Sequence, residues 1–256
     1  FYLNYIGGDS RMSFKDKTNE VLLELYNKEG LQNTIDVAHA MLQSATHKNN
    51  KHFLAHTHGE ICESVLECIV MDYFKSFNLN KYGWFYKKGL ILKDINNPDS
   101  GYFTELDLTV FTPQRIFAFE CKSYGGDNRI TDTCTIRRKS GSSFDVYEQH
   151  KKHFMVLADQ LKPFRIINQQ NALSTPYQLV LFDFSEGSTA DERDTKNKLL
   201  MPCLNEKNVL NIFKTVYDAP IMWDINRVHK AMEIIEKHSE ANREKHLKYV
   251  SQLREK

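Results

Sequence analysis

Two short stretches place charged groups where a β-sheet normally buries apolar ones. In Thr104-Glu105-Leu106-Asp107-Leu108-Thr109-Val110, alternation puts Leu106, Leu108 and Val110 on one face and Asp107 on the other. In Ile116-Phe117-Ala118-Phe119-Glu120-Cys121-Lys122, the same period sets Glu120 and Lys122 together, opposite Phe117, Phe119 and Cys121. Neighbouring carboxylates repel unless they share a cation. Mg²⁺, with its preference for hard oxygen ligands and waters, is the natural one, and Mn²⁺ is a substitute. Held by Asp107, Glu120 and the Cys121 carbonyl, such an ion would polarise a phosphodiester and acidify a bound water. Lys122 would orient that water or stabilise charge on the pentacovalent phosphorus. A Glu-x-Lys on a strand is by itself usually a solvated face, so the reading depends on the surrounding pattern.

That pattern starts with the elements. The two runs, joined by Thr112-Pro113-Gln114-Arg115, read as a β-hairpin. A strand is expected over 84–92, helices over 14–48, 59–77 and 144–162, and a buried strand over Gln178–Phe184. Residues 199–217 pair a short extended piece with a helical one, and 223–256 form a long charged helix whose apolar positions thin out after about 236. On helix 59–77, Glu63 precedes Leu66 and Val70 by one and two turns and points along the apolar face toward the sheet. Glu60 shares its face with Ser64 and Glu67, the wetter side, and reads as an N-terminal helix acid favoured by the macrodipole.

The run Phe119-Glu120-Cys121-Lys122-Ser123-Tyr124-Gly125-Gly126 resembles the Glu-x-Lys motif of the PD-(D/E)xK nuclease superfamily, and within it the nuclease-related (NERD) domain. Asp107 matches that family's upstream Asp, and His58-Gly59-Glu60-Ile61-Cys62-Glu63 agrees with its acidic helix, which implies a metal or water ligand at Glu63 first and Glu60 second. Tyr147-Glu148-Gln149-His150-Lys151-Lys152-His153 matches its Gln-bearing helix. Leu106 replaces the family's Pro, Asp145-Val146 stands where it often has Asn-Pro, and residues 127–143 differ from its usual connection. The resemblance implies a restriction-endonuclease-like core with Gln149 bonded to substrate or to the catalytic water. It also implies, by analogy alone, defence against foreign DNA.

Lys and Arg (34) nearly balance Asp and Glu (33), so attraction to phosphates must come from local clustering. Arg137, Arg138 and Lys139, with Lys152 and His153 beyond them, flank the presumed cleft and suggest salt-sensitive, sequence-independent binding; the bland alternative is a solvated charged loop. Lys87-Lys88 is a weaker addition, and Gly125-Gly126 lets the chain turn. Zn²⁺ on His56, His58 and Cys62 is a minor alternative, because no recognised ligand spacing occurs among His47, His52, His56 and His58. Five cysteines without a Cys-x-x-Cys pair fit a reducing, cytoplasmic compartment. No apolar run approaches the roughly 18 residues of a membrane span, and the first residues are too few and too polar for a signal peptide.

The expected fold is therefore α/β, a mixed sheet of roughly four to five strands flanked by helices. A helical cap over 1–55, a nuclease-like core over 56–220 and a charged helix over 221–256 would compose it. The expected activity is Mg²⁺-dependent hydrolysis of DNA with little sequence specificity. The alternatives are a nucleic-acid-binding or assembly module without strong cleavage and a nuclease acting on RNA. The terminal helix is the expected route to a homo-oligomer or protein partner.

Overall fold

The computed structural model describes residues 14–46, 51–94, 103–124, 126–166 and 177–254, with side chains throughout except at 14–17, 45–46, 51–56 and 247–254. His47, Gly125 and the first 13 residues thus lie outside the described residues, as do the side chains of His52 and His56. The chain begins α1 (Phe14–Glu29), α2 (Leu31–Thr46), α3 (Lys51–Phe77), β1 (Phe85–Lys93), β2 (Phe103–Phe111) and β3 (Ile116–Lys122). It continues β4 (Asn128–Thr131), β5 (Thr135–Arg138), β6 (Ser143–Asp145), α4 (Val146–Leu161), β7 (Tyr177–Asp183) and β8 (Thr189–Asp191). It ends α5 (Thr195–Leu200), β9 (Cys203–Leu204), a 3₁₀ segment (Val209–Val216) and α6 (Ile225–Arg254).

The first sheet has the order β1-β2-β3-β7-β9. Its first three strands are antiparallel, with a short turn at 112–115 joining β2 to β3; β7 and β9 run parallel to β3, because helices intervene. Thr112 closes the β2–β3 hairpin: its amide donates to the Arg115 carbonyl at 3.0 Å, and its hydroxyl accepts from the Gln114 and Arg115 amides. One face of the sheet buries Leu108, Val110, Phe117 and Phe119 against Leu22, Leu42, Val65 and Ile69 of the first three helices. The other buries Leu90, Leu106, Ala118 and Leu181 against Phe154 and Leu157 of α4 and Val228 and Met232 of α6. The expected mixed sheet between helices is present.

Several local expectations need correction. Leu106 packs on the α4 side, not with Leu108 and Val110. Gly89 stands across from Asp107 where the β1–β2 pairing is interrupted, and its φ is 60°. The stretch 127–143, expected only to differ from the family's usual connection, has regular structure. It forms most of a second sheet, β6-β5-β4-β8, whose Ile130, Cys134 and Ile136 join the apolar cluster on the α4 side of the first. Helix α3 begins at Lys51, so Glu60 lies well inside it rather than at its start. The face of Glu60 and Ser64 is buried, because α1 lies across it: the Ser64 hydroxyl donates to Asn19 Oδ1 at 2.9 Å, and Lys88 Nζ donates to the same oxygen at 2.6 Å.

Helix α6 also stays docked beyond residue 236. The Ile91 amide on edge strand β1 donates to Ser239 Oγ at 2.8 Å, and His246 lies 3.7 Å from Glu105. Polar side chains make these contacts because an edge strand offers unpaired backbone groups rather than apolar surface. No helix of the described residues is long and apolar enough to cross a membrane.

Candidate active site

The β2–β3 register ends on Leu108 and Phe119, and one step further it carries Asp107 to a position opposite Glu120. The Cys121 amide donates to Asp107 Oδ2 at 2.7 Å, which fastens the carboxylate to the neighbouring strand. Two residues along β3, Lys122 Nζ lies 2.6 Å from Glu120 Oε1. Alternation thus does what the sequence suggested. Phe117, Phe119 and Cys121 enter the core under α3, and Glu120 meets α4 on the opposite face.

Glu63 reaches the same end of the sheet from α3. Its neighbour Cys62 donates Sγ–H to the Lys122 carbonyl at 3.4 Å, so this turn of the helix lies over the end of β3. Glu63 itself is half-buried, and its charge is felt at Asp107. Burial raises the Asp107 carboxyl well above its ordinary range, and Glu120 and Glu63 raise it further. Burial would raise Glu120 too, but Lys122 and the His150 and His153 rings override it and hold that carboxyl well below the usual range. Burial would lower Lys122, yet Glu120 and Asp107 hold it above an ordinary lysine. The cluster therefore contains one ionised carboxylate, one ammonium and one carboxyl whose ionisation is opposed. A divalent cation would relieve that opposition, so these oxygen donors fit one.

Helix α4 is anchored by Asp145, whose side chain accepts from the Glu148 amide at 3.0 Å. It turns His150 and His153 toward Glu120: Oε2 lies 3.3 Å from His150 Nδ1 and 3.8 Å from His153 Nδ1. These three residues form a group able to hold a metal ion. Gln149 is exposed on the same helix, as is Lys152. Arg137 is exposed and paired with Asp132 at 3.3 Å, Lys139 is exposed, and the Arg138 guanidinium lies 5.4 Å from the centre of the Tyr124 ring. Lys87 and Lys88 pair with Glu236 and Glu67. Of the minor zinc set, His58 is buried and the Cys62 thiol points at backbone carbonyls.

Sequence reasoning passed over two residues. His150 follows Val146 and precedes Phe154 by four positions each, so the apolar spacing of α4 already placed it inward. Asp183 pairs in register with Lys122 from β7, and burial raises its carboxyl despite hydrogen bonds from Ser185 and Thr189. An acid closing the apolar run Leu179–Phe182 repeats the pattern that drew attention to Asp107.

Residues 64–182 match the family model of the nuclease-related domain (NERD). No curated protein and no solved structure matches the chain. The matched segment begins one residue after Glu63 and takes in Asp107, Glu120, Lys122 and α4. The central segment of the chain, with these three residues on adjacent strands, carries a nuclease-related domain of restriction-endonuclease-like fold.

Proposed function

We propose that the chain is a Mg²⁺-dependent endonuclease that hydrolyses phosphodiester bonds of DNA with little intrinsic sequence specificity. One observation carries the reading: Asp107 and Glu120 face each other across a strand pair, with Lys122 bonded to Glu120 and Glu63 near enough to oppose ionisation of Asp107. Asp107, Glu120, Glu63 and the Cys121 carbonyl would hold the ion, with Mn²⁺ as a substitute. The bound ion supplies Lewis acidity toward the phosphodiester and an acidified water. Lys122, kept cationic by its carboxylate neighbours, offsets negative charge gathering on the phosphoryl oxygens. Gln149 hydrogen-bonds substrate or water from α4. Arg137, Arg138, Lys139 and Lys152 meet backbone phosphates, with His153 beside them; such contacts position a duplex without reading its bases.

We assign residues 1–55 as a cap, 56–220 as the core and 221–256 as a charged terminal helix whose last turns are left for a protein partner or a second copy. The five cysteines are all thiols, which supports a cytoplasmic setting. A role in defence against foreign DNA rests on the family resemblance. The experiment is to offer the purified chain labelled duplex DNA, single-stranded DNA and RNA in Mg²⁺ and in EDTA. DNA cut only in Mg²⁺ is the expected result. RNA cut instead would make the chain a ribonuclease, and salt-sensitive binding without cutting would make it a binding module.

A further inference from the structure

His150 is fully buried in α4, and its Nε2 lies 2.9 Å from the Ala118 carbonyl oxygen. A carbonyl only accepts, so Nε2 carries the proton, and in the neutral ring the lone pair stands on Nδ1. That lone pair faces Glu120 Oε2 at 3.3 Å, and His153 Nδ1 lies 3.8 Å from the same oxygen. All three atoms are buried, and at these separations none makes a hydrogen bond of ordinary geometry. Lone pairs gathered in a buried space repel one another unless a ring proton or a metal ion lies among them.

We propose that Glu120 Oε2, His150 Nδ1 and His153 Nδ1 form a site for a single borderline transition-metal ion, Zn²⁺ foremost, separate from the Asp107 side of Glu120. Ligand atoms about 2.0–2.1 Å from one ion at tetrahedral angles stand roughly 3.3–3.4 Å apart. The 3.3 Å between Glu120 and His150 meets this, and a small movement of His153 closes the 3.8 Å. Octahedral Mg²⁺ would need its ligands roughly 3 Å apart and would take oxygens, so two imidazole nitrogens select against it. The Ala118 carbonyl fits the same reading. Metal-ligating histidines hand their other ring N–H to such an acceptor, which fixes the tautomer and the ring's orientation. With three protein ligands, a fourth position stays open to water or an anion's oxygen.

The test is to titrate the purified chain with Co²⁺ and record its visible d–d absorption, which is intense only for low-symmetry, near-tetrahedral coordination. An intense band that saturates with a single ion, survives excess Mg²⁺ and is displaced by Zn²⁺ is expected. His153→Ala, or His153→Gln if the first fails to fold, should weaken Co²⁺ binding at least about tenfold, and Asp107→Asn should leave it intact. A missing band, a band unaltered by the His153 variants, or one erased by Mg²⁺ would overturn the site. The readout needs no nucleic acid. A chain that binds Co²⁺ but cuts nothing therefore sinks the nuclease reading alone, and one that cuts without the band sinks this site alone.

Discussion

The Asp107 carboxylate is hydrogen-bonded to the backbone amide of Cys121, one residue past the Glu120 that it faces across the strand pair. One of its oxygens is thereby committed to β3, and its charge is opposed by burial, Glu120 and Glu63. An acid held this way costs stability when ionised, and a sequence retains such a cost where function uses it.

Asp107→Asn should therefore stabilise the metal-free protein at neutral pH. The amide oxygen still accepts from Cys121, the repelled charge is gone, and a gain of about 1 kcal/mol is in the usual range for relieving a functional site. Thermal unfolding in EDTA checks this. A variant that melts below the parent would mean that ionised Asp107 contributes to folding instead of opposing it.

A pH dependence follows with a definite sign. A raised carboxyl contributes stability that is complete below its ordinary value of 3.8 and is lost as pH rises through the elevated folded value. Glu120 acts oppositely: its contribution is present above its ordinary 4.5 and is lost only as pH falls through the depressed folded value. Above about pH 5 the Glu120 part is constant, so the difference in stability between parent and Asp107→Asn should widen with pH in EDTA and narrow again in Mg²⁺. Parallel melting-temperature profiles for the two proteins would contradict this.

Helix α4 depends on its cap. Asp145→Ala removes the bond to the Glu148 amide and should cost about 1 kcal/mol, whereas Asp145→Asn should cost only a few tenths. Urea unfolding of both variants distinguishes them, and equal losses would show that the cap is not what anchors the helix.

Gly89 controls the face switch beside Asp107. A Cβ there would sit 3.7 Å from Glu105, an ordinary contact, so Gly89→Ala meets only the strain of a positive φ, about 1–2 kcal/mol. Cleavage should fall by more than this loss of stability explains, because Asp107 would be drawn back toward regular alternation. A folded Gly89→Ala protein with parental activity would detach this interruption of the pairing from the site.

Replacing Arg138 and Lys139 by Ala should weaken DNA binding about uniformly across sequences. It should also lower the slope of affinity against salt, by roughly one unit for each phosphate that is no longer neutralised. Arg137, already paired with Asp132, should matter less. Fluorescence anisotropy over a salt series measures this, and an unchanged slope would remove the patch from the interface.

The hairpin holding Asp107, Glu120 and Lys122 was legible because strand alternation and a Pro-bearing turn are local signals. What failed depended on partners distant in the chain. Glu60 and Ser64 read as a wet face because Asn19 of α1, which lies across them, is distant in the chain, and Leu106 changes faces where the pairing with the neighbouring strand is interrupted at Gly89. The second sheet escaped notice because its strands have three or four residues each, too few for a period to show. His150 was visible as an inward residue of α4, but nothing in the sequence said that Glu120 would stand opposite.

The most direct test is nicking of supercoiled plasmid by the parent chain and by Asp107→Ala and Glu120→Ala, each confirmed to be folded, in Mg²⁺ and in EDTA. Nicking by the parent in Mg²⁺ alone, absent in both variants, is the predicted result; cleavage that survives both substitutions would contradict the assignment of these carboxylates to the active site.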